Sequence, residues 1–198
     1  MGIDADRVKR KGSAADLKHP TRDTPIMSAC TECSRCCKVP IAPVNDSDVR
    51  RLIKRTGLAA DAVVHLYKPS DIDYDSTGDL WIKTPKGRRI LGLKKLKKQC
   101  RFLGEDGRCS VYTSRPSTCR TYPYGVEHFE NGDLESIELI DEIGCCGRIG
   151  RHWKVEQLIK DAKREDREDD AYCVRLRLWE AAGSRGGKKG LLMFLKLA

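Results

Sequence analysis

Apolar positions recur at helical spacing early and late in the chain and alternate in its middle, which gives the first outline of a fold. Val49, Leu52 and Ile53 make one helical face, with capping side chains offered by Asn45 to Asp48 and a stop near Gly57. A second helical piece is expected over Ala60 to Tyr67, where Val63, Val64 and Tyr67 can pack and His65 is a surface or core residue before Pro69 ends it. Leu80 to Thr84 and Arg88 to Leu93 read as strands around the turn Pro85, Lys86 and Gly87. Tyr124 to Phe129 and Leu134 to Ile140 read as another pair, with Asn131 and Gly132 turning the chain between them. Trp153, Val155, Leu158, Ile159 and Ala162 mark a helix. Tyr172, Leu176 and Trp179 mark another, or its continuation across the charged stretch Lys163 to Asp170. Gly183 to Gly190 is expected to end helical order.

Residues 1–27 are polar, mixed in charge and punctuated by Gly12, Pro20 and Pro25, so they are expected to form a flexible arm. The expected organisation is this arm, one domain over 28–182 and a basic C-terminal tail over 183–198. With 39% hydrophobic and 34% charged residues, the core should be modest, and metal cross-links could supply stability that it lacks. Charges at Asp4, Asp6, Arg7, Lys9 and Arg10 interrupt any apolar leader, and no run approaches the roughly 18 to 20 apolar residues that span a bilayer. A soluble, cytoplasmic protein is the expectation.

Cysteine changes the picture most. The chain has ten, and in a reducing compartment close spacing points to metal or redox chemistry rather than disulfides. Cys30, Cys33, Cys36 and Cys37 are written C-x-x-C-x-x-C-C; Cys100, Cys109 and Cys119 form a second group, Cys145 and Cys146 a third, and Cys173 stands alone. Two residues between cysteines let a tight loop aim both sulfurs at one metal, and here two such loops overlap. Cys30, Cys33 and Cys36 on one turn resemble the start of a cluster-binding ferredoxin loop, although Cys37 follows at once instead of after three more residues. Adjacent residues point in different directions, so Cys36 and Cys37 can serve different ions or one can be a structural or reactive thiol.

The second group carries the most specific passage: Cys100-Arg101-Phe102-Leu103, Gly107-Arg108-Cys109-Ser110-Val111-Tyr112 and Arg115-Pro116-Ser117-Thr118-Cys119-Arg120-Thr121-Tyr122-Pro123. With the leading C-x-x-C-x-x-C-C, it resembles the cysteine-cluster family called CxxCxxCC or YkgJ-like over roughly residues 29–147. That family's pattern runs C-x-F-L, G-x-C-x-I-Y, R-P-x-x-C-R-x-F/Y-P. Val111 stands where isoleucine is usual, and Cys146 stands where a proline would follow the last cysteine. The resemblance implies a zinc- or iron-chelating domain built on eight cysteines: Cys30, Cys33, Cys36, Cys37, Cys100, Cys109, Cys119 and Cys145, with Cys145 preferred to Cys146. It also implies one enzymatic alternative, since some larger relatives look like flagellin lysine N-methylases.

Thiolates are the metal-binding form, and neighbouring cations lower a thiol's pKa. Arg35, Lys38, Arg101, Arg108, Arg120 and Arg148 lie within two residues of a grouped cysteine, and Arg115 lies four away from one. The net charge of +9 is uneven, because Lys83 to Arg101 holds nine basic residues and no carboxylate. That stretch reads either as a solvated face that balances a thiolate site or as a surface for an acidic protein or nucleic acid. Phe102, Leu103, Val111 and Tyr112 should shield the site, while Pro116 and Pro123 fix the path around Cys119. His19, His65, His128 and His152 do not repeat at ligand spacing, and only His152, beside Trp153, invites testing as a substitute ligand.

A nucleotide-binding glycine loop and a Ser-His-Asp order are both lacking, which argues against the corresponding transferase and hydrolase chemistry. The C-x-x-x-C-x-x-C run of radical enzymes begins at Cys33 and Cys37 but meets Pro40 where its third cysteine belongs. The resulting expectation is a small α+β, cysteine-rich, metal-stapled domain with short hairpins and flanking helices. It would bind an iron–sulfur cluster, favoured because three ligands on one loop suit a multi-iron corner, or zinc. The alternatives are a cluster-dependent redox or protein lysine methyl-transfer enzyme, and a nonenzymatic zinc-stapled adaptor that binds an anionic partner through Lys83 to Arg101.

Overall fold

The computed structural model describes residues 17–18, 25–26, 34–72, 78–128, 134–139 and 153–198. In chain order the elements are β1 (Leu17–Lys18), β2 (Pro25–Ile26), α1 (Arg35–Lys38), α2 (Asp46–Thr56), α3 (Ala60–Val63), β3 (Val64–Tyr67), β4 (Ile82–Thr84) and β5 (Gly87–Leu93). They continue with β6 (Lys95–Leu96), β7 (Gln99–Cys100), α4 (Ser117–Thr121), β8 (Tyr124–His128), β9 (Leu134–Leu139), β10 (Trp153–Lys154), α5 (Val155–Ala181) and α6 (Gly187–Phe194). Helices stand beside small antiparallel sheets, so the fold is α+β.

The central strand is β5, flanked by β4 against its first half and β3 against its second, with registers Lys83↔Arg88 and Leu66↔Leu91. The turn into β5 is Pro85–Lys86, one residue shorter than expected, and Gly87 opens the strand at φ +92°. Ile90, Leu91, Gly92 and Leu93 are buried, because the chain before α2 closes the other edge of β5. There the Leu93 amide donates to Ala42 O (2.9 Å) and the Val44 amide to Leu91 O (3.0 Å). A Cβ on Gly92 would stand 2.8 Å from Ile41 Cγ2, so this crossing admits only glycine.

The helix at Asn45 forms as its spacing predicts. The Asp48 amide donates to Asn45 Oδ1 (2.8 Å), the Asn45 amide donates to Asp48 Oδ2 (3.4 Å), and Gly57 ends α2 in the left-handed region. Val49 and Leu52 enter the main core with Val63, Val64, Ile82, Leu91, Phe102, Val111, Tyr172, Leu176 and Trp179. The late helical patterns join into one 27-residue helix, α5, so the charged stretch Lys163 to Asp170 is a continuation and not a break. A smaller core holds Ile137, Val155 and Leu158 under the β8–β9 pair. Phe129, Asn131, Gly132 and Ile140 of that expected pair lie outside the described residues.

Several expectations are corrected. Ala60 to Tyr67 is not one helix: α3 ends at Val63, and Val64 to Tyr67 becomes β3. The alternation of buried Val64, exposed His65 and buried Tyr67 has period two, and pairing with β5 rewards it. Trp153 pairs with Ile26 in a short sheet instead of starting the helix. Helical order does not end at Gly183 to Gly190, because α6 restarts at Gly187 and sends Leu191, Leu192 and Leu195 into the main core. Within the expected arm, Leu17–Lys18 pairs with β9 and Pro25–Ile26 with β10. Among the described residues, no helix is long and apolar enough to cross a membrane.

Candidate metal centre

Four separate pieces of chain carry the described cysteines of the motif. The β6–β7 hairpin delivers Cys100 through a two-residue turn, Lys97–Lys98, with φ +49° and +66°. Two left-handed residues are what a tight hairpin of this twist needs, and lysine adopts that backbone at a cost. The chain then folds back on itself: Leu103 bridges Cys109, the Gly104 amide donates to Arg108 O (2.8 Å), and the Ser110 amide donates to Phe102 O (2.9 Å). Phe102 and Val111 are buried beneath this loop as expected. Arg115 lies over the Tyr112 ring at 4.0 Å, and Pro116 leads into α4, which carries Cys119.

Cys36 and Cys37 sit on α1. The Lys95 ammonium donates to the carbonyls of Lys38 (3.2 Å) and Val39 (2.7 Å), the last acceptors of that turn, and so ties it to β6.

The five thiols on these pieces, Cys36, Cys37, Cys100, Cys109 and Cys119, are within electrostatic reach of one another. A hydrogen bond from Cys37 favours the Cys36 thiolate, which Arg115 assists, and lowers its pKa to about 7. Cys37 is held protonated by that same bond, by burial and by the nearby Cys36, Cys100 and Cys119. Desolvation raises Cys100 and Cys119, and the neighbouring cysteines raise both further. Among the described residues, no three His, Cys, Asp or Glu side chains are grouped tightly enough to hold a metal ion. Cys30, Cys33, Cys145 and Cys146 lie outside the described residues, as do His19 and His152. Cys173 stands apart on α5, buried, with its thiol donating to Asp79 O at 3.6 Å.

The sequence reading missed a set of carboxylates that grip α4. Asp48 Oδ1 accepts from the Ser117 amide (3.0 Å) and from Arg51, and Arg51 also reaches Glu168 (2.6 and 2.9 Å). Glu165 accepts from the hydroxyls of Thr118 and Thr121 (both 3.1 Å), which flank Cys119. Asp169 accepts from Asn45 Nδ2 (2.7 Å). Burial raises the pKa of Asp48, and burial and then Asp169 push Glu165 up to about 7. Asp169 itself is raised to about 6, again chiefly by burial. A signal was available: Leu158, Ala162, Glu165, Asp169, Tyr172, Leu176 and Trp179 share one helical stripe, so two acids occupy positions where the pattern asks for apolar residues.

The loop sequences that build this site decide the family. The chain belongs to the CxxCxxCC family. The match covers residues 29–138, more than half of the chain, and the family is described as a "Putative zinc- or iron-chelating domain". It takes in the Cys30 to Cys37 group, Cys100, Cys109 and Cys119, and it stops short of the Cys145–Cys146 pair that the resemblance had included. No curated protein and no solved structure matches the chain. The family's description makes zinc or iron chelation the coarse reading for this chain.

Proposed function

We propose that the CxxCxxCC domain binds an iron–sulfur centre through thiolates drawn from Cys30, Cys33, Cys36, Cys37, Cys100, Cys109, Cys119 and Cys145. The observation that carries this reading is the mutual electrostatic reach of thiols from α1, β7, the Cys109 loop and α4, segments up to 83 positions apart in sequence. The donor chemistry fits: thiols alone, beside Arg115, with Phe102 and Val111 excluding water on one side. Cys36 would bind before Cys37, Cys100 and Cys119, because its proton is more easily lost than theirs. Lys95 and the carboxylate grip on α4 hold the donors in place before loading. When bound, such a cluster supplies one-electron chemistry or a structural staple. Cys173 has no part in it.

Oxygen-free purification tests the reading. Brown protein with iron and acid-labile sulfide in comparable amounts is expected, with both lost on Cys119→Ser and kept on Cys173→Ser. Colourless protein carrying stoichiometric zinc would replace the cluster by a zinc site on the same cysteines.

A further inference from the structure

Away from the cysteines, the β4–β5 turn faces the start of α6. A cleft of about 480 Å³ opens there, lined by Lys86, Arg89, Ser184 and Lys188 among others and by no carboxylate. This volume falls in the range that small-molecule ligands occupy. Lys86 and Arg89 have no carboxylate partner among the described residues, whereas Lys188 shares its ammonium with Asp61 at 2.5 Å. Thr84 holds the turn that presents Lys86, donating to Gly87 O (2.7 Å) and accepting from the Lys86 amide (3.2 Å). Arg89 Nη1 donates to Arg88 O (2.7 Å), a neutral acceptor that leaves its charge uncompensated, and two such cations lining one cleft favour an anion between them.

Ser184 supplies an independent indication. It is nine-tenths buried, with 9% of its surface exposed, and its hydroxyl has no hydrogen-bond partner among the described residues. Its Oγ is not sealed from solvent, and in the wall of the cleft it is open to donate to a ligand oxygen. Ser184 also sits at φ +50°, a backbone that serine adopts only under constraint, in a wall of the cleft. Just beyond it, α6 begins without a side-chain cap and without an acidic residue in its first turn. Its opening amides thus add to the positive side of the cleft.

We propose that this cleft binds a phosphate group, with Lys86 and Arg89 neutralising its charge and Ser184 donating to one of its oxygens. Of the nine basic residues from Lys83 to Arg101, only these two line the cleft. Lys83 pairs with Glu180 and Lys95 with the end of α1, so the stretch is divided among separate tasks. The inference is independent of the metal reading.

Titration calorimetry on the full chain at low ionic strength, with pyrophosphate and with ADP as probes, tests it. Saturable one-to-one binding is expected, weakened about tenfold by Arg89→Gln and severalfold by Ser184→Ala. Arg88→Gln, a neighbouring cation outside the lining, should change affinity less than about twofold. Circular dichroism and metal content should stay unchanged in all three variants. Tighter binding of ADP than of pyrophosphate would assign a nucleotide as the source of the phosphate, and equal binding would assign the bare phosphate. Absence of saturable binding, or equal losses from Arg88→Gln and Arg89→Gln, overturns the site and leaves only diffuse attraction.

Discussion

Glu165 on α5 accepts a hydrogen bond from the hydroxyl of Thr121 on α4 at 3.1 Å, and its other oxygen takes Thr118 at the same distance. Cys119 lies between those two threonines, so the rotation of α4 that aims its sulfur is fixed by a helix about 45 residues further along the chain. Glu165→Ala should remove that control and weaken metal binding by about 10- to 100-fold, the usual effect of losing an outer partner of a ligand. Glu165→Gln, which keeps one acceptor and the side-chain length, should recover most of the loss. Competition against a chromophoric chelator measures both, and equal affinity for wild type and Glu165→Ala would refute the positioning role.

The same carboxylate links stability to pH. Its folded pKa of about 7 lies above the ordinary 4.5, and that of Asp169, about 6, lies above 3.8, so the native state holds protons that the unfolded chain has released. Stability contributed by these groups is therefore complete at low pH and falls as pH rises through about 7. The loss attributable to Glu165 is on the order of 2 kcal/mol across that window. Denaturant midpoints of wild type and Glu165→Gln at pH 5.5 to 8 should converge towards the acid end, with the variant gaining relative to wild type as pH rises. A constant difference over that range would show that Glu165 does not titrate.

Cys36 should be the fast-reacting thiol of metal-free protein. Its pKa of about 7 makes roughly half of it thiolate at neutrality, whereas the hydrogen bond to Cys36 and then burial raise Cys37, and burial and then neighbouring cysteines raise Cys100 and Cys119. Iodoacetamide labelling followed by peptide mass spectrometry should show Cys36 modified first, at a rate that rises through pH 7 and levels off above about pH 8. Labelling of all four at one rate would contradict the hydrogen bond that Cys37 donates to Cys36.

How much of this could be read in advance depended on whether the pattern was local. The C-x-x-C-x-x-C-C group and the R-P-x-x-C-R passage named the family, and Asn45, Asp48 and Gly57 fixed the ends of α2, because caps and loop motifs act over a few residues. Val64 to Tyr67 was misread because Val63, Val64 and Tyr67 also fit a helical spacing, and four residues are too few for the period-two alternation to decide until the edge of β5 pairs with them. The glycines at Gly183 and Gly186 do turn the chain, at φ +88° and +84°, but the leucines beyond them find the core again. Glu165 and Asp169 were hidden by their company: a run of charges reads as solvated surface unless the helical stripe beneath it is followed residue by residue.

That return of the chain gives the sharpest test of the packing. Leu191, Leu192, Leu195 and Leu197 retain 0, 3, 1 and 8% exposure, and Arg50 donates to Leu195 O (2.6 Å) and Lys196 O (3.2 Å), locking the terminus against α2. Burying one leucine is worth roughly 1.5 to 3 kcal/mol, so four of them rival the 5 to 15 kcal/mol that holds a typical domain folded. A chain ending at Gly183 should consequently lose its cooperative thermal transition and its bound metal together. Leu191→Ala alone, at a site with no exposure, should cost about 2 to 5 kcal/mol by denaturant unfolding. Met193→Ala on the exposed face of the same helix should cost well under about 1 kcal/mol, and the contrast separates packing from any general effect of altering α6. A truncated chain that still melts cooperatively with its metal in place would mean that these leucines are not part of the core.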